Sequence, residues 1–232
     1  MKKEIYSIKV IVLLLIMAVS GCLEVPNSGS KTIYVNDGGG VDYVKIQDAI
    51  DNASDGDTIF VYNGTYNEIL ILNKSINLIG ASKDKTVIGW QKIGKARQKN
   101  VICVYVDKCT IKGFKIVGAG VYSDFIGINV NTSYNTISDN IILSNNMGVN
   151  IGEGSKNNNV YRNNISNNLY GVALHHSNNN NISKNNISSC SLYGIYLIDS
   201  NNNIIFGNTL SGNFYGMRVK ASEKNRVFKN LV

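Results

Sequence analysis

His175 and His176 are the two histidines of the chain, and they are adjacent. Glu153 lies 23 residues before His176 and Asp199 lies 23 residues after it. Such a spacing brings an acid, an imidazole and an acid together only if the chain coils at that period. Stacked in neighbouring coils about 5 Å apart, Glu153, His175, His176 and Asp199 would offer two carboxylates and two imidazoles. That set suits copper or another divalent transition metal, or acid–base work. The plainer alternative is a solvated column of turn residues in which the acids only tune histidine charge. A second series, Met147, Tyr170, Tyr193 and Tyr215, has the same period. Stacked tyrosines would make a wall that holds sugar rings by apolar contact and hydroxyl bonds. The plainer alternative is that they cover a corner of the core. A third series is Asn150, Ala173, Tyr196 and Arg218; by alternation it faces outward, where Tyr196 and Arg218 would contact an acidic sugar.

All three series need a repeating scaffold, and the sequence has one. Ile137, Val160, Ile182, Ile204 and Val227 recur at 22 or 23 residues, and three positions beyond them lie Asn140, Asn163, Asn185, Gly207 and Asn230. Gly148, Gly171, Gly194 and Gly216 each open an alternating apolar run, such as Val172/Leu174. Several columns in phase at one period mark a solenoid. The period-two alternation between Gly, Asn and Ser is strand chemistry, and 22 residues are too few for a helix pair. The fold expected is all-β: a right-handed parallel β-helix with three short strands per coil. Inward Ile, Leu and Val would stack about 4.8 Å apart. Corner asparagines would bond their equivalents above and below, each bond contributing about 1 kcal/mol.

Residues 32–68 read as an N-terminal cap and first coil. Ile46, Ala49, Ile50 and Ala53 share a helical face, which predicts a short amphipathic helix over the open end of the solenoid. Regular coils run from about residue 127, and 94–100 (GKARQKN) reads as a protruding basic loop. A further column, Arg162, Lys184, Phe206 and Lys229, reads as a partly basic corner. The chain stops partway into a coil at Val232 without a polar cap, so end-to-end self-association, a partner or a truncated gene is expected.

Residues 1–21 have a basic start followed by an apolar run, the order of a secretory signal. The run is short for a membrane span, and Val19-Ser20-Gly21-Cys22 resembles a lipobox. Cleavage before Cys22 and lipidation of its thiol are the implied events, with residues 22–31 as the tether. The expected location is the outer face of the cytoplasmic membrane, the cell surface or the periplasm. Losing three Lys and one Glu lowers the net charge from +7 to about +5. A mildly basic surface without an Arg-rich run suits an acidic glycan or envelope polymer, not nucleic acid. Cys103 and Cys109 would pair across a turn if their Cα atoms lie within about 7 Å. Sequons occur at Asn52, Asn63, Asn73, Asn131, Asn164, Asn181 and Asn186. Asn164, Asn181 and Asn186 are expected inside the asparagine ladders, which leaves Asn63 and Asn73 as the better glycan acceptors.

The N-x-I…N-x-x-G-I-x-L pattern, from about Ile59 onward, resembles the right-handed parallel β-helix repeat superfamily. Gly64-Thr65-Tyr66-Asn67-Glu68 is similar to the opening segment of pectin methylesterases. Asp124-Phe125-Ile126-Gly127 is similar to part of their D-F-I-F-G motif, which would make Asp124 a catalytic acid. Their Q-D-T-L and L-G-R-P-W motifs are missing, so the resemblance implies a shared first coil rather than a shared reaction. The repeats also resemble the NosD-type periplasmic proteins, which implies copper handling through His175 and His176. The reading taken forward is a lipid-anchored, exported β-helix that binds a polysaccharide or envelope polymer, without an assigned catalytic residue. The alternatives are NosD-like copper handling, a polysaccharide-acting lyase, hydrolase or epimerase, and a structural surface-layer protein.

Overall fold

The computed structural model describes residues 29–89, 100–118, 120–121 and 125–232. The signal segment, Cys22, most of the basic loop and Asp124 lie outside them. The described chain winds into a parallel β-helix of about eight coils. A nine-stranded sheet runs from Thr32–Val35 to Arg226–Phe228. One seven-stranded sheet runs from Gly64–Tyr66 to Thr209–Ser211, and another from Leu70–Leu72 to Tyr215–Lys220. Ile111, Ile137, Val160 and Ile182 occupy matching positions in successive coils and are fully buried or nearly so. Burying one such side chain contributes about 1.5–3 kcal/mol.

One column differs from the expected register. Ile205, not Ile204, follows Ile182, and Asn208, not Gly207, follows Asn185. Ile204 instead stands opposite Asn181 on the outer side. Gly207 takes the left-handed turn (φ 65) that Asp139, Arg162, Lys184 and Lys229 also adopt, and displaces Phe206 from the basic corner. Two adjacent isoleucines satisfy either alternation, so the apolar pattern alone cannot choose between them.

Between strands the corners are held by asparagine side chains. Asn140, Asn163, Asn185, Asn208 and Asn230 form a ladder in which each backbone N–H donates to the next Oδ1, as Asn163 does to Asn185 at 3.0 Å. Each Nδ2 also donates back to a carbonyl, as Asn185 does to Val160 at 2.9 Å. Asn135, Asn158, Asn180, Asn203 and Asn225 build a second ladder. A third begins with Asn145 and Asn168, then passes through Cys190 to Asn213. Asn164 and Asn186 are not rungs: they pair on the outer side of a strand and are exposed. Each immediately follows a rung, Asn163 and Asn185, so its side chain points outward. Asn181 bonds Asn159 on the outer side of its own sheet. The glycines that open the strands are needed for close approach: a Cβ at Gly148 would lie 2.7 Å from the Gly171 carbonyl oxygen.

The Ile46–Asn52 helix buries Ile46, Ala49 and Ile50, as its spacing predicts. Glu68 accepts the Ile46 and Gln47 N–H groups at 2.9 and 3.0 Å, in place of an N-cap side chain. The Gln47 amide then bonds both the N–H and the C=O of Ile71, standing in for the strand that Leu70–Leu72 lacks on that side. Cys103, Cys109 and Cys190 are buried, and none is in a disulfide.

Two substitutions test the ladders. Asn185→Leu removes the acceptor for Asn163 and two donors, and is expected to cost about 1–3 kcal/mol; an unchanged Tm would refute the ladder's role. Cys190→Asn restores the missing rung beneath Asn168 and is expected to raise stability by about 1 kcal/mol in denaturant unfolding.

Candidate functional site

The tyrosine columns meet on the outer side of the sheet that contains Met147–Ile151, Tyr170–His175, Tyr193–Ile198 and Tyr215–Lys220. Tyr170 pairs with Tyr193, and Tyr193 with Tyr215. Ala173, Tyr196 and Arg218 are opposite one another in the same coils. The rings do not form a flat wall. Tyr193 is stacked between Tyr196 (centroids 5.2 Å, 15° between planes) and Tyr215 (5.3 Å, 25°). Only 7% of its surface is left exposed, whereas Tyr215 is 51% exposed. Tyr170 leans on both Tyr193 and Tyr196, at 5.8 and 5.7 Å. Tyr193 therefore supports the cluster, and Tyr170, Tyr196 and Tyr215 present its accessible edges. Arg218 lies over the Tyr193 ring at 5.5 Å and donates from Nη1 to its hydroxyl. Burial, then the neighbouring Tyr196 and Tyr193, pushes the Tyr170 phenol up, so it remains a hydrogen-bond donor at neutral pH.

His175 joins this face rather than the turn. It packs edge-on to Tyr196 at 5.8 Å, and its Nδ1 is 3.0 Å from Asn150 Oδ1. Asn150 Nδ2 donates to Asn129 Oδ1 at 2.8 Å, which turns its own oxygen toward the imidazole. Nδ1 therefore carries the proton, and Nε2 is left as an acceptor. Burial, then the charge of His176, holds His175 below the usual histidine range. The alternation signal for this placement is present, since His175 is two residues beyond Ala173; its adjacency to His176 had suggested a shared role. Asn129 and Lys220 also belong to this face and were found only from the register.

The acid–histidine–acid column is not assembled. Ile151 pairs with Leu174, yet Lys156, not Ser155, pairs with Asn178. The turn after Ile151 thus holds one extra residue. Gly154 takes the place beside His176 and donates its N–H to the His176 carbonyl at 3.0 Å, which leaves Glu153 outside the column. His176 and Asp199 do meet, at 3.4 Å, with side chains 58% and 44% exposed. Such a pair is worth little in water.

Among the described residues no three His, Cys, Asp or Glu side chains converge as metal ligands. Burial pushes the Cys109 and Cys190 thiols up to about 11, so neither offers a thiolate at neutral pH. These residues do not fit a copper centre. A concavity of about 370 Å³ lined by Lys31, Thr32, Ile33, Asp42 and Tyr43 belongs to the N-terminal cap and shares no residue with the tyrosine face.

The sequence model of the family described as "Periplasmic copper-binding protein (NosD)" matches residues 50–232. A cell surface glycoprotein of Methanothermus fervidus is 29% identical over 147 residues, covering 61% of this chain and 21% of that protein. The chain thus spans about a fifth of that relative's length. Among solved structures, the pectin methylesterase of carrot superposes with a TM-score of 0.54 at 12% identity, covering 85% of this chain and 83% of that one. The periplasmic alginate epimerase AlgG gives 0.53 at 18%, covering 87% and 55%. At these identities the likeness is one of fold.

The His175 environment predicts a pH effect. Its folded-state pKa is lowered, so its contribution to stability is complete above about 6.5 and is lost as pH falls through the lower folded value. An NMR titration is expected to place the His175 midpoint below 6.5. His175→Gln is expected to flatten the loss of Tm between about pH 7 and 5.

Proposed function

The chain belongs to the NosD family, and from that premise we propose that it is an exported β-helix of the cell surface or periplasm that binds a carbohydrate polymer. The observation that carries this reading is the tyrosine face: three accessible phenol edges, a guanidinium and a neutral imidazole acceptor lie together on adjacent coils. A polymer of hydroxyl-bearing rings laid along them meets ring faces, donors and an acceptor on coils about 4.8 Å apart. Tyr170, Tyr196, Tyr215 and Arg218 contact the ligand in this account, and Tyr193 holds them in place. The reading is supported by a relative named as a cell surface glycoprotein, and by structural neighbours named for pectin and alginate. Lipidation at Cys22 would tether the domain to the membrane, with the tyrosine face directed along the envelope polymer.

The family's name favours a second reading, copper handling, for which the chain has only His175 and His176, although the two face different partners and no third ligand converges on them among the described residues. A screen of polysaccharides and of copper, run on wild type, Tyr196→Ala and His175→Ala/His176→Ala, separates the two. Polymer binding weakened at least about tenfold by Tyr196→Ala, the loss of roughly 1.4 kcal/mol, is the expected result. Copper binding lost in the double histidine variant, with no polymer bound, would replace it with the second reading.

A further inference from the structure

We infer that the polymer bound by the tyrosine face is anionic, a polyuronate whose carboxylates are read by Arg218 and Lys220. This rests on the carbohydrate-binding reading and adds the chemical class of the ligand. The strands Ile126–Val130, Met147–Ile151, Tyr170–His175, Tyr193–Ile198 and Tyr215–Lys220 contain no Asp or Glu. Their outer side carries Arg218 and, two residues on, Lys220, both exposed. Arg218 is opposite Tyr196 and Lys220 is opposite Ile198, so the two cations flank the next coil of the same face.

Arg218 is held in position. Its Nη1 is engaged by the Tyr193 hydroxyl and its guanidinium lies over that ring. A guanidinium has five N–H donors, so the fork that remains matches a carboxylate in two parallel bonds. The acids nearest in sequence, Glu223 and Asp199, stand in the turns beyond the strand ends, and Asp199 is already engaged by His176. A contrasting site exists on the molecule. At the left-handed corner Arg162 is neutralised by Asp139 through two hydrogen bonds of 2.9 and 2.7 Å. Lys184 and Lys229 are exposed at that same corner, where the neighbouring rings are the Phe206–Phe228 pair, which carries no hydroxyl. They provide charge away from the tyrosine face, and serve as the control.

The test compares polygalacturonate with the same polymer fully methyl-esterified, which removes the charge and keeps the sugar. Binding of each to the full chain in non-ionic detergent is measured at low and at raised salt. The expected result is at least tenfold tighter binding of the charged form, with the difference shrinking as salt rises. Arg218→Gln/Lys220→Gln is expected to abolish the preference while residual binding of the neutral form persists. Lys184→Gln/Lys229→Gln is expected to retain it. Equal binding of the two forms by wild type would overturn the inference and leave carbohydrate binding standing. A preference lost equally in both double variants would reduce it to net charge, and would overturn it too. Binding of neither form would overturn the inference together with the reading beneath it.

Discussion

The structure depends on the pairing of corner backbone N–H groups with the side-chain oxygen of an asparagine one coil away. Strand bonds stop at the corners, and a buried N–H left unpaired there costs about 1–3 kcal/mol. From Phe114 onward, the ladder through Asn140, Asn163, Asn185, Asn208 and Asn230 meets that demand. It also fixes the phase of the chain. A shift of one residue would send inward isoleucines outward, so the rungs that keep Ile182 in the core also keep Tyr196 and Arg218 on the surface. The candidate binding face is thus a consequence of the ladder, set by the same period.

Where the ladders are interrupted, the chemistry changes locally. The extra residue between Gly152 and Ser155 lets the core resume its register but removes Glu153 from His176. In the same stack the buried Ser177 hydroxyl has no partner, whereas its equivalent one coil on, Ser200, accepts the Ser177 N–H and donates to the Ile198 carbonyl. One insertion therefore separates Glu153 from the His176–Asp199 pair. No comparable insertion falls between Met147 and Tyr215 on the tyrosine side, where the pairing is continuous over four coils.

Much of this was legible in the sequence because the fold repeats. A period seen in independent columns of Ile, Asn, Gly and Tyr defines the coil and the two tyrosine columns, and the helical spacing of Ile46, Ala49, Ile50 and Ala53 marks the capping helix. The failures are also physical. Ile204 and Ile205 are chemically equivalent, so only the Asn208 rung decides which one is buried. Asn164 and Asn186 have the composition of rungs but the alternation of outer residues. Ring-on-ring stacking of Tyr193 depends on side-chain angles that spacing does not encode. Asn150 orients His175 from the neighbouring coil, 25 residues away, a contact with no motif of its own.

Hydroxyl-radical footprinting of tyrosines shows in one measurement whether a polymer lies on the tyrosine face. Tyr34, Tyr62 and Tyr134 are exposed elsewhere on the molecule and act as internal references. With a bound polyuronate, Tyr196 and Tyr215 should lose reactivity while those three keep theirs. Protection of Tyr34 and Tyr62 instead, or of none of the five, would contradict that placement.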